Sequence, residues 1–259
     1  MLSRPSLFAR ALEPLVSALW ILFVLLSLIV ACVWISDFGD AELSRYIANP
    51  GLRGALGIFL ERLDAAWIAL AAVVSYLALA EVEGLATVRR WGFIVIVLVA
   101  LLAVVNSATS LPLGPLHYTA RLGMQIGPMP FGLPLLWFAL VTGARSVMLR
   151  LLPRASHARV SLCAGALAML ADVNIEPLAW KVRAFWIWYP KLTPPAPRFP
   201  PLQNFAAWFV IATALAFTMR ESKVAAPVAK SLPRPVCVFA TLNAVFLITN
   251  VSRLLQRWL

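Results

Sequence analysis

Two carboxylates, Asp172 and Glu176, interrupt a stretch of the chain that is otherwise apolar. Their i, i+4 spacing would place both on one face of a helix. A carboxylate within a membrane span is costly and usually marks a polar cavity, an ion path or a catalytic site. When two carboxyl groups lie close together with little water, at least one of them tends to stay protonated. A protonated carboxyl group can serve as a general acid. The alternative is that both acids lie at a helix end and pair with Lys181 or Arg183.

A second candidate cluster is His117 and Tyr118, which follow a Gly-Pro pair. An imidazole and a phenol at this spacing fit a catalytic site, but they equally fit the aromatic belt of a membrane interface. The predicted topology favours the site. With seven spans, the loops at 110–130 and 178–201 lie on the same side of the membrane, so this pair is expected on the same side as the two acids.

Aromatic residues are concentrated after the acids. They are Trp180, Phe185, Trp186, Trp188, Tyr189, Phe205 and Trp208. Aromatic faces stabilise cations, which include transient carbocations, so a π-lined pocket beside the carboxylates is one interpretation. The other interpretation is again an interfacial aromatic belt.

The composition decides which solvent surrounds these groups. Of the 259 residues, 62% are hydrophobic and 13% are charged, whereas a soluble domain carries about 25% charged residues. Too few polar groups remain to cover a water-facing surface. The chain is therefore predicted to be an all-α, polytopic transmembrane helical bundle.

Long apolar runs locate about seven spans within a single integral membrane domain, residues 1–259. A span needs about 20 largely apolar residues. The predicted spans are 14–36, 64–83, 91–110, 131–149, 159–177, 202–219 and 235–254. Residues 51–63 are expected to lie on the membrane surface. The proline-rich segment 190–201 is expected to form a stiff extended lid or strap.

Several function classes are excluded by what the chain contains. Its net charge of +11 comes from basic residues scattered singly between apolar runs, which indicates contact with anionic lipid headgroups and no nucleic-acid partner. The sequence has no glycine-rich phosphate loop, no HExxH motif and no paired Cys/His spacing, so neither a nucleotide site nor a metal site is predicted. The last span contains no lysine and cannot form a retinal Schiff base.

The order of motifs resembles the membrane family of carotenoid biosynthesis proteins, which includes carotenoid 1,2-hydratases and bisanhydrobacterioruberin hydratase. The resemblance covers about residues 65–220, and its most specific part is the Asp-x-x-x-Glu-Pro block followed by Trp-x-Trp and Asn-Phe. The family tends to carry a glutamate near the end of the span before the first block, where this chain has Asn106. The motifs that carry the resemblance are Leu113–Thr119 with Leu122-Gly123, Met129-Pro130, Leu133–Trp137, Asp172–Pro177, Trp186–Tyr189, and Pro201–Phe205 with Trp208.

The resemblance implies hydration of the terminal double bond of an acyclic carotenoid end group, with no cofactor. Protonation of the alkene at its less substituted carbon gives a tertiary cation, which water captures. Asp172 or Glu176 would be the acid, and the other carboxylate or His117 would position water. The cation-stabilising wall would be Trp186, Trp188 and Tyr118, and further substrate contacts would come from Trp137, Asn204, Phe205 and Trp208.

The expected setting is a bacterial inner membrane, with membrane lipids, the carotenoid substrate and other carotenoid biosynthesis enzymes as partners. Two alternatives stay open at this point. One is an accessory subunit or another end-group-modifying enzyme of carotenoid synthesis. The other is a non-enzymatic carrier of lipid or ions, in which the two acids would line a transport path.

Overall fold

The structure is a computed structural model that describes residues 7–36, 38, 40–189, 199–220 and 233–256. These residues form eight α-helices, and side-chain caps fix where two of them begin. The Asn49 side chain accepts from the backbone N–H of Leu52, with Pro50 at the first helical position, and Ser156 accepts from Arg159 in the same way. The helices are α1 (Leu7–Ser36), α2 (Asp40–Tyr46), α3 (Pro50–Glu83), α4 (Leu85–Thr109), α5 (Gly132–Leu151), α6 (His157–Lys181), α7 (Leu202–Thr218) and α8 (Arg234–Leu255).

Six of these helices are long and apolar enough to cross a bilayer: α1, α3, α4, α5, α6 and α8. Helix α7 is also apolar, but at 17 residues it is at the short end of the range of about 17–25 that spans a membrane. The predicted all-α polytopic bundle is therefore confirmed, and the chain is an integral membrane protein. Each of the seven predicted spans falls almost entirely within one of these helices, and α3 extends well beyond its predicted span.

Helix α3 corrects one prediction. Residues 51–63 do not form a separate surface segment, because they are continuous with the span that follows them in a helix of 34 residues. At about 1.5 Å per residue this helix is about 50 Å long, well beyond the roughly 30 Å of a hydrocarbon core. The other predicted connection, the proline-rich lid at 190–201, lies largely outside the described residues, which resume at 199.

Aromatic side chains fill the contact between α1, α3 and α8. Trp34 of α1 meets Trp67 of α3 edge to face, with ring centroids 5.4 Å apart. Phe246 of α8 packs against both rings, at 5.5 and 5.6 Å. All three side chains are fully buried, so this cluster fixes how the three helices meet.

Helices α6 and α7 approach closely because Gly165 offers no side chain at their crossing. A Cβ added there would meet the Thr213 hydroxyl and lie 2.8 Å from the carbonyl oxygen of Phe209. Small residues allow such close helix packing inside membranes, where van der Waals contact replaces the hydrophobic drive. The crossing matters for the site, since α6 carries the two acids and α7 carries Asn204.

Two short extramembrane segments meet at one end of the bundle. The strand β1 (Leu116–Tyr118), between α4 and α5, pairs in antiparallel fashion with β4 (Trp186–Trp188), between α6 and α7. A 3-10 turn at Ala120–Leu122 and a small ladder of β2 (Gln125–Ile126) with β3 (Met129–Pro130) complete the first segment. The prediction that the two loops lie on the same side is confirmed.

Candidate active site

The two predicted acids lie one turn apart in the last three turns of α6. Asp172 is fully buried and Glu176 is 3% exposed. The next residue, Pro177, stands inside the helix and has no N–H, so it leaves the carbonyl of Val173 without its helical donor. The helix is thus locally weakened where the carboxylates project.

Glu176 is held by three N–H donors. The indole nitrogens of Trp186 and Trp188 donate to Oε2 at 3.2 and 3.0 Å, and the amide of Asn204 donates to Oε1 at 2.9 Å. Both tryptophans belong to β4 and Asn204 to the first turn of α7. Two chain segments, β4 and α7, therefore converge on one carboxylate of α6.

Asp172 is held differently. Its Oδ2 accepts from the same Asn204 amide at 2.8 Å. Its Oδ1 is buried and has no hydrogen-bond partner among the described residues. Asn204 thus bridges the two acids through one nitrogen. Of their four carboxyl oxygens, Oδ1 of Asp172 is the one that has no hydrogen-bond partner among the described residues.

The alternation of the β1–β4 ladder decides which predicted residues reach this cluster. Successive side chains of a strand point to opposite faces. Trp186, Trp188 and Tyr118 are buried on the face toward α6, whereas His117 and its cross-strand partner Ile187 are exposed on the other. The structure therefore does not bring His117 to the acids, although its neighbour in sequence is there.

Tyr118 lies beside the acid pair. It is 7% exposed, and its ring meets that of Trp186 edge to face at 6.2 Å. Burial raises the pKa of this phenol above its ordinary value, and the nearby carboxyl groups of Asp172 and Glu176 raise the pKa further. The phenol is accordingly a neutral group at physiological pH.

A stacked tryptophan pair continues the aromatic wall. The rings of Trp137 on α5 and Trp208 on α7 lie 3.8 Å apart and nearly parallel. Trp208 follows Asn204 by four residues, so the two share a face of α7 one turn apart. The Trp137 indole nitrogen is buried without a partner in the described part of the chain. Phe205, next to Asn204, is half-buried.

The ion-pair alternative for the acids does not hold in the structure. Arg183 gives two hydrogen bonds to Asp64 of α3, from Nε at 2.8 Å and from a terminal nitrogen at 2.6 Å. The Trp34 indole donates to the other oxygen of Asp64 at 3.0 Å. The Lys181 ammonium lies over the rings of Trp180 and Phe199. Asp64 is a buried acid that sequence reasoning missed, because it was assigned to a span boundary.

The loop before β1 is shaped by Asn106 and Gly114. Asn106 donates to the Gly114 carbonyl at 2.9 Å and accepts from the Leu113 N–H at 2.8 Å, so its amide is used at both ends. Gly114 has φ of +116°, and a Cβ there would lie 2.6 Å from the Pro201 ring. Asn106 therefore stabilises the turn at Gly114. Because Gly114 has no side chain, Pro201 at the start of α7 can pack against this turn.

Two surface clefts lie away from the acids. One, of about 420 Å³, opens between α3, α4 and α5, and its wall is almost wholly carbon. Its lining includes Tyr76, Phe93, Phe138 and Gly92. The other, of about 620 Å³, lies at the opposite end of the bundle around His157 and Phe217. Within the described residues no group of three or more His, Cys, Asp or Glu side chains is arranged to hold a metal ion.

Comparisons with known proteins agree with the motifs. A sequence profile of a family described as "Carotenoid biosynthesis protein" matches residues 64–259. The bisanhydrobacterioruberin hydratase of Haloarcula japonica is 37% identical over 111 residues, which cover 41% of this chain and 36% of that protein. The match thus spans little more than a third of the relative's length. No solved structure matches the chain. The resemblance drawn from the sequence is confirmed.

Proposed function

The chain belongs to the family of carotenoid biosynthesis proteins, and we propose that it hydrates the terminal carbon–carbon double bond of an acyclic carotenoid end group. Such an enzyme would be a hydratase of the hydro-lyase class. Its substrate is a long apolar polyene that dissolves in the bilayer, which fits an integral membrane protein. The bacterial inner membrane is the proposed location, with lipids and other carotenoid biosynthesis enzymes as neighbours.

The proposed chemistry needs three groups. An acid protonates the alkene at its less substituted carbon, a base takes a proton from the attacking water, and a wall stabilises the tertiary cation between these steps. The buried carboxyl pair supplies an acid and a base. Trp186, Trp188 and the neutral ring of Tyr118 supply π faces beside that pair.

The observation that carries the proposal is the environment of the two acids. Both are buried, and every hydrogen-bond donor to them in the described residues is a neutral N–H group. A basic partner would hold both as stable anions, but the nearby Arg183 is paired with Asp64 instead. Two carboxyl groups without a cation favour one shared proton, which is the state that an acid catalyst requires.

The name of the relative supports the same reaction. The Haloarcula japonica protein is named bisanhydrobacterioruberin hydratase, and the match covers 36% of its length. A substrate of the same class, an acyclic carotenoid with an unsaturated terminal group, is therefore proposed for this chain. Water is the sole co-reactant of the proposed reaction.

The apolar cleft between α3, α4 and α5 is proposed to take part of the polyene. Its volume of about 420 Å³ lies within the range of about 300–1,000 Å³ that is usual for ligand pockets. Val73, Phe93 and Ile96 on its rim are exposed apolar side chains of membrane helices, so the cleft opens toward lipid. A ligand that arrives from the bilayer meets this opening directly.

The decisive experiment is production of the chain in a bacterium that makes acyclic carotenoids. The expected result is a pigment heavier by one water per modified end group, detected by mass spectrometry. Glu176→Gln should abolish the product, and Glu61→Gln, at an exposed acid outside the cluster, is the matched control that should retain it. Unchanged pigments with a well-expressed chain would refute hydration, and co-purification with another pigment enzyme would then favour an accessory subunit.

A further inference from the structure

The hydrogen bonds of the two acids divide their roles, and this division rests on the proposed hydration. We propose that Asp172 carries the transferable proton on Oδ1 and is the acid, and that Glu176 is the resident anion that deprotonates water. Neither the motif nor the family assignment distinguishes the two residues. Their four carboxyl oxygens differ in the groups that are directed at each.

Glu176 is surrounded as an anion would be. Both of its oxygens accept N–H groups, two on Oε2 and one on Oε1. Indole and carboxamide nitrogens can only donate, so each contact needs a lone pair on the carboxylate and offers nothing to a carboxyl O–H. Three donors on one carboxylate favour its charged form. A proton added to Glu176 would oppose at least one of these contacts.

Asp172 is surrounded as a neutral acid would be. It accepts one N–H on Oδ2, is fully buried, and lies one helical turn from the Glu176 anion. A second anion at this distance, with no cation among its described contacts, would carry a large cost. Oδ1 is the one oxygen of the four that no described N–H group approaches. It is therefore the position where a hydroxyl proton meets no competing donor and remains available for transfer.

The cycle balances with these assignments. The Oδ1–H bond of Asp172 breaks as the alkene π electrons form a C–H bond at the less substituted carbon, which leaves a tertiary cation and an Asp172 carboxylate. The water oxygen then bonds to the cationic carbon and releases a proton to Glu176. Transfer of that proton from Glu176 to Asp172, its neighbour at i−4, restores both groups. The net change is addition of one water to one double bond.

Infrared spectroscopy of the full-length protein tests where the proton resides without any need for turnover. A protonated carboxyl group has a C=O stretching band distinct from those of carboxylates. The expected result is that this band shifts when aspartate side-chain carboxyls carry ¹³C, does not shift with labelled glutamate, and disappears in Asp172→Asn. Labelling of the unmodified chain keeps the test valid if the variant fails to fold. A shift with labelled glutamate, or no protonated-carboxyl band at neutral pH, would overturn the proposal.

Deuterium exchange tests the chemical roles. In D₂O, Glu176→Gln keeps the acid but loses the base, so recovered unhydrated substrate should gain deuterium at the alkene at least tenfold faster than with Asp172→Asn. The reverse order would assign the acid to Glu176. Failure of hydration itself is distinguishable, because an aspartate band in a protein that leaves all pigments unchanged would preserve the proton assignment and reject the proposed reaction.

Discussion

The side-chain amide of Asn204 lies 2.8 Å from Oδ2 of Asp172 and joins α7 to α6 at the centre of the candidate active site. The same nitrogen reaches Glu176 at 2.9 Å, so one residue bridges the two acids. The β1–β4 ladder delivers two indole groups to the same pair of acids.

Asn204→Leu should lower the hydration rate by about 10- to 100-fold. The substitution removes a hydrogen bond to each carboxyl group, and one such bond to a charged group contributes about 1.5–3 kcal/mol. The loss should appear in kcat more than in KM, because the amide positions the acids. Pigment conversion per folded protein measures the effect. Asn243→Leu is the control, since among the described residues its amide donates to Phe239 of its own helix. Equal losses in both variants would contradict a positioning role.

Trp188→Phe should reduce hydration by about tenfold while preserving an aromatic face. The variant removes the 3.0 Å donor to Glu176 and keeps a ring in the wall. Trp188→Leu, which loses both features, should reduce activity further. The comparison of conversion rates separates the hydrogen bond from the cation-stabilising face. Trp20→Phe on α1 is the matched control, and identical rates for the two Trp188 variants would argue against the aromatic wall.

The phenol of Tyr118 should make the protein sensitive to alkaline pH. Its pKa in the folded protein is raised above the unfolded value of about 10, so the unfolded chain releases this proton first as the pH rises. The contribution of Tyr118 to stability is therefore complete below about pH 10 and is lost above it. Thermal unfolding of the wild type and of Tyr118→Phe at several pH values measures this. The advantage of the wild type should shrink above pH 10, and a constant difference would contradict the assignment.

Asp64→Asn should destabilise the protein by about 3–5 kcal/mol, because it leaves Arg183 without its anion in a largely buried position. Arg183 is 15% exposed, so the lower end of that range is expected. Thermal unfolding in detergent gives the magnitude. The double variant Asp64→Leu with Arg183→Met should recover part of the loss, since it removes both charges. Equal stability of Asp64→Asn and wild type would mean that the pair contributes little.

Gly92→Phe should raise the KM for a long polyene without changing the fold. A Cβ at this position meets only the Tyr76 ring, at 3.9 Å, so a larger side chain enters the cleft between α3, α4 and α5 with no backbone collision. A substrate truncated to its end group should be hydrated equally by variant and wild type. Gly54→Phe, at an open position, is the control. An unchanged KM for the long substrate would exclude this cleft as the polyene site.

Much of the fold followed from local patterns. Charge-free runs such as 14–36 locate helices because a segment within lipid needs apolar side chains and backbone polar groups that are hydrogen-bonded to one another. The boundary of α3 was missed because Arg53, Glu61 and Arg62 ended the apolar run, although a helix can continue into water beyond a membrane. Asp64 was missed for the same reason. In the sequence, a buried charge at the edge of an apolar run looks the same as a solvent-exposed charge at the end of a helix. Its partner Arg183 is 119 residues away, so no local pattern reveals the pair.

The amino-acid sequence alone determined that Asp172 and Glu176 share a helix face, because residues at i and i+4 of a helix lie on the same side. It also determined that the loops at 110–130 and 178–201 lie on the same side of the membrane. Only the tertiary structure decided which neighbours reach the acids. Tyr118 faces them and His117 does not, because a strand turns adjacent side chains to opposite faces and its register is set by pairing with β4, about 70 residues away. The bridge by Asn204 likewise depends on how closely α6 and α7 pack at Gly165, which no local pattern encodes.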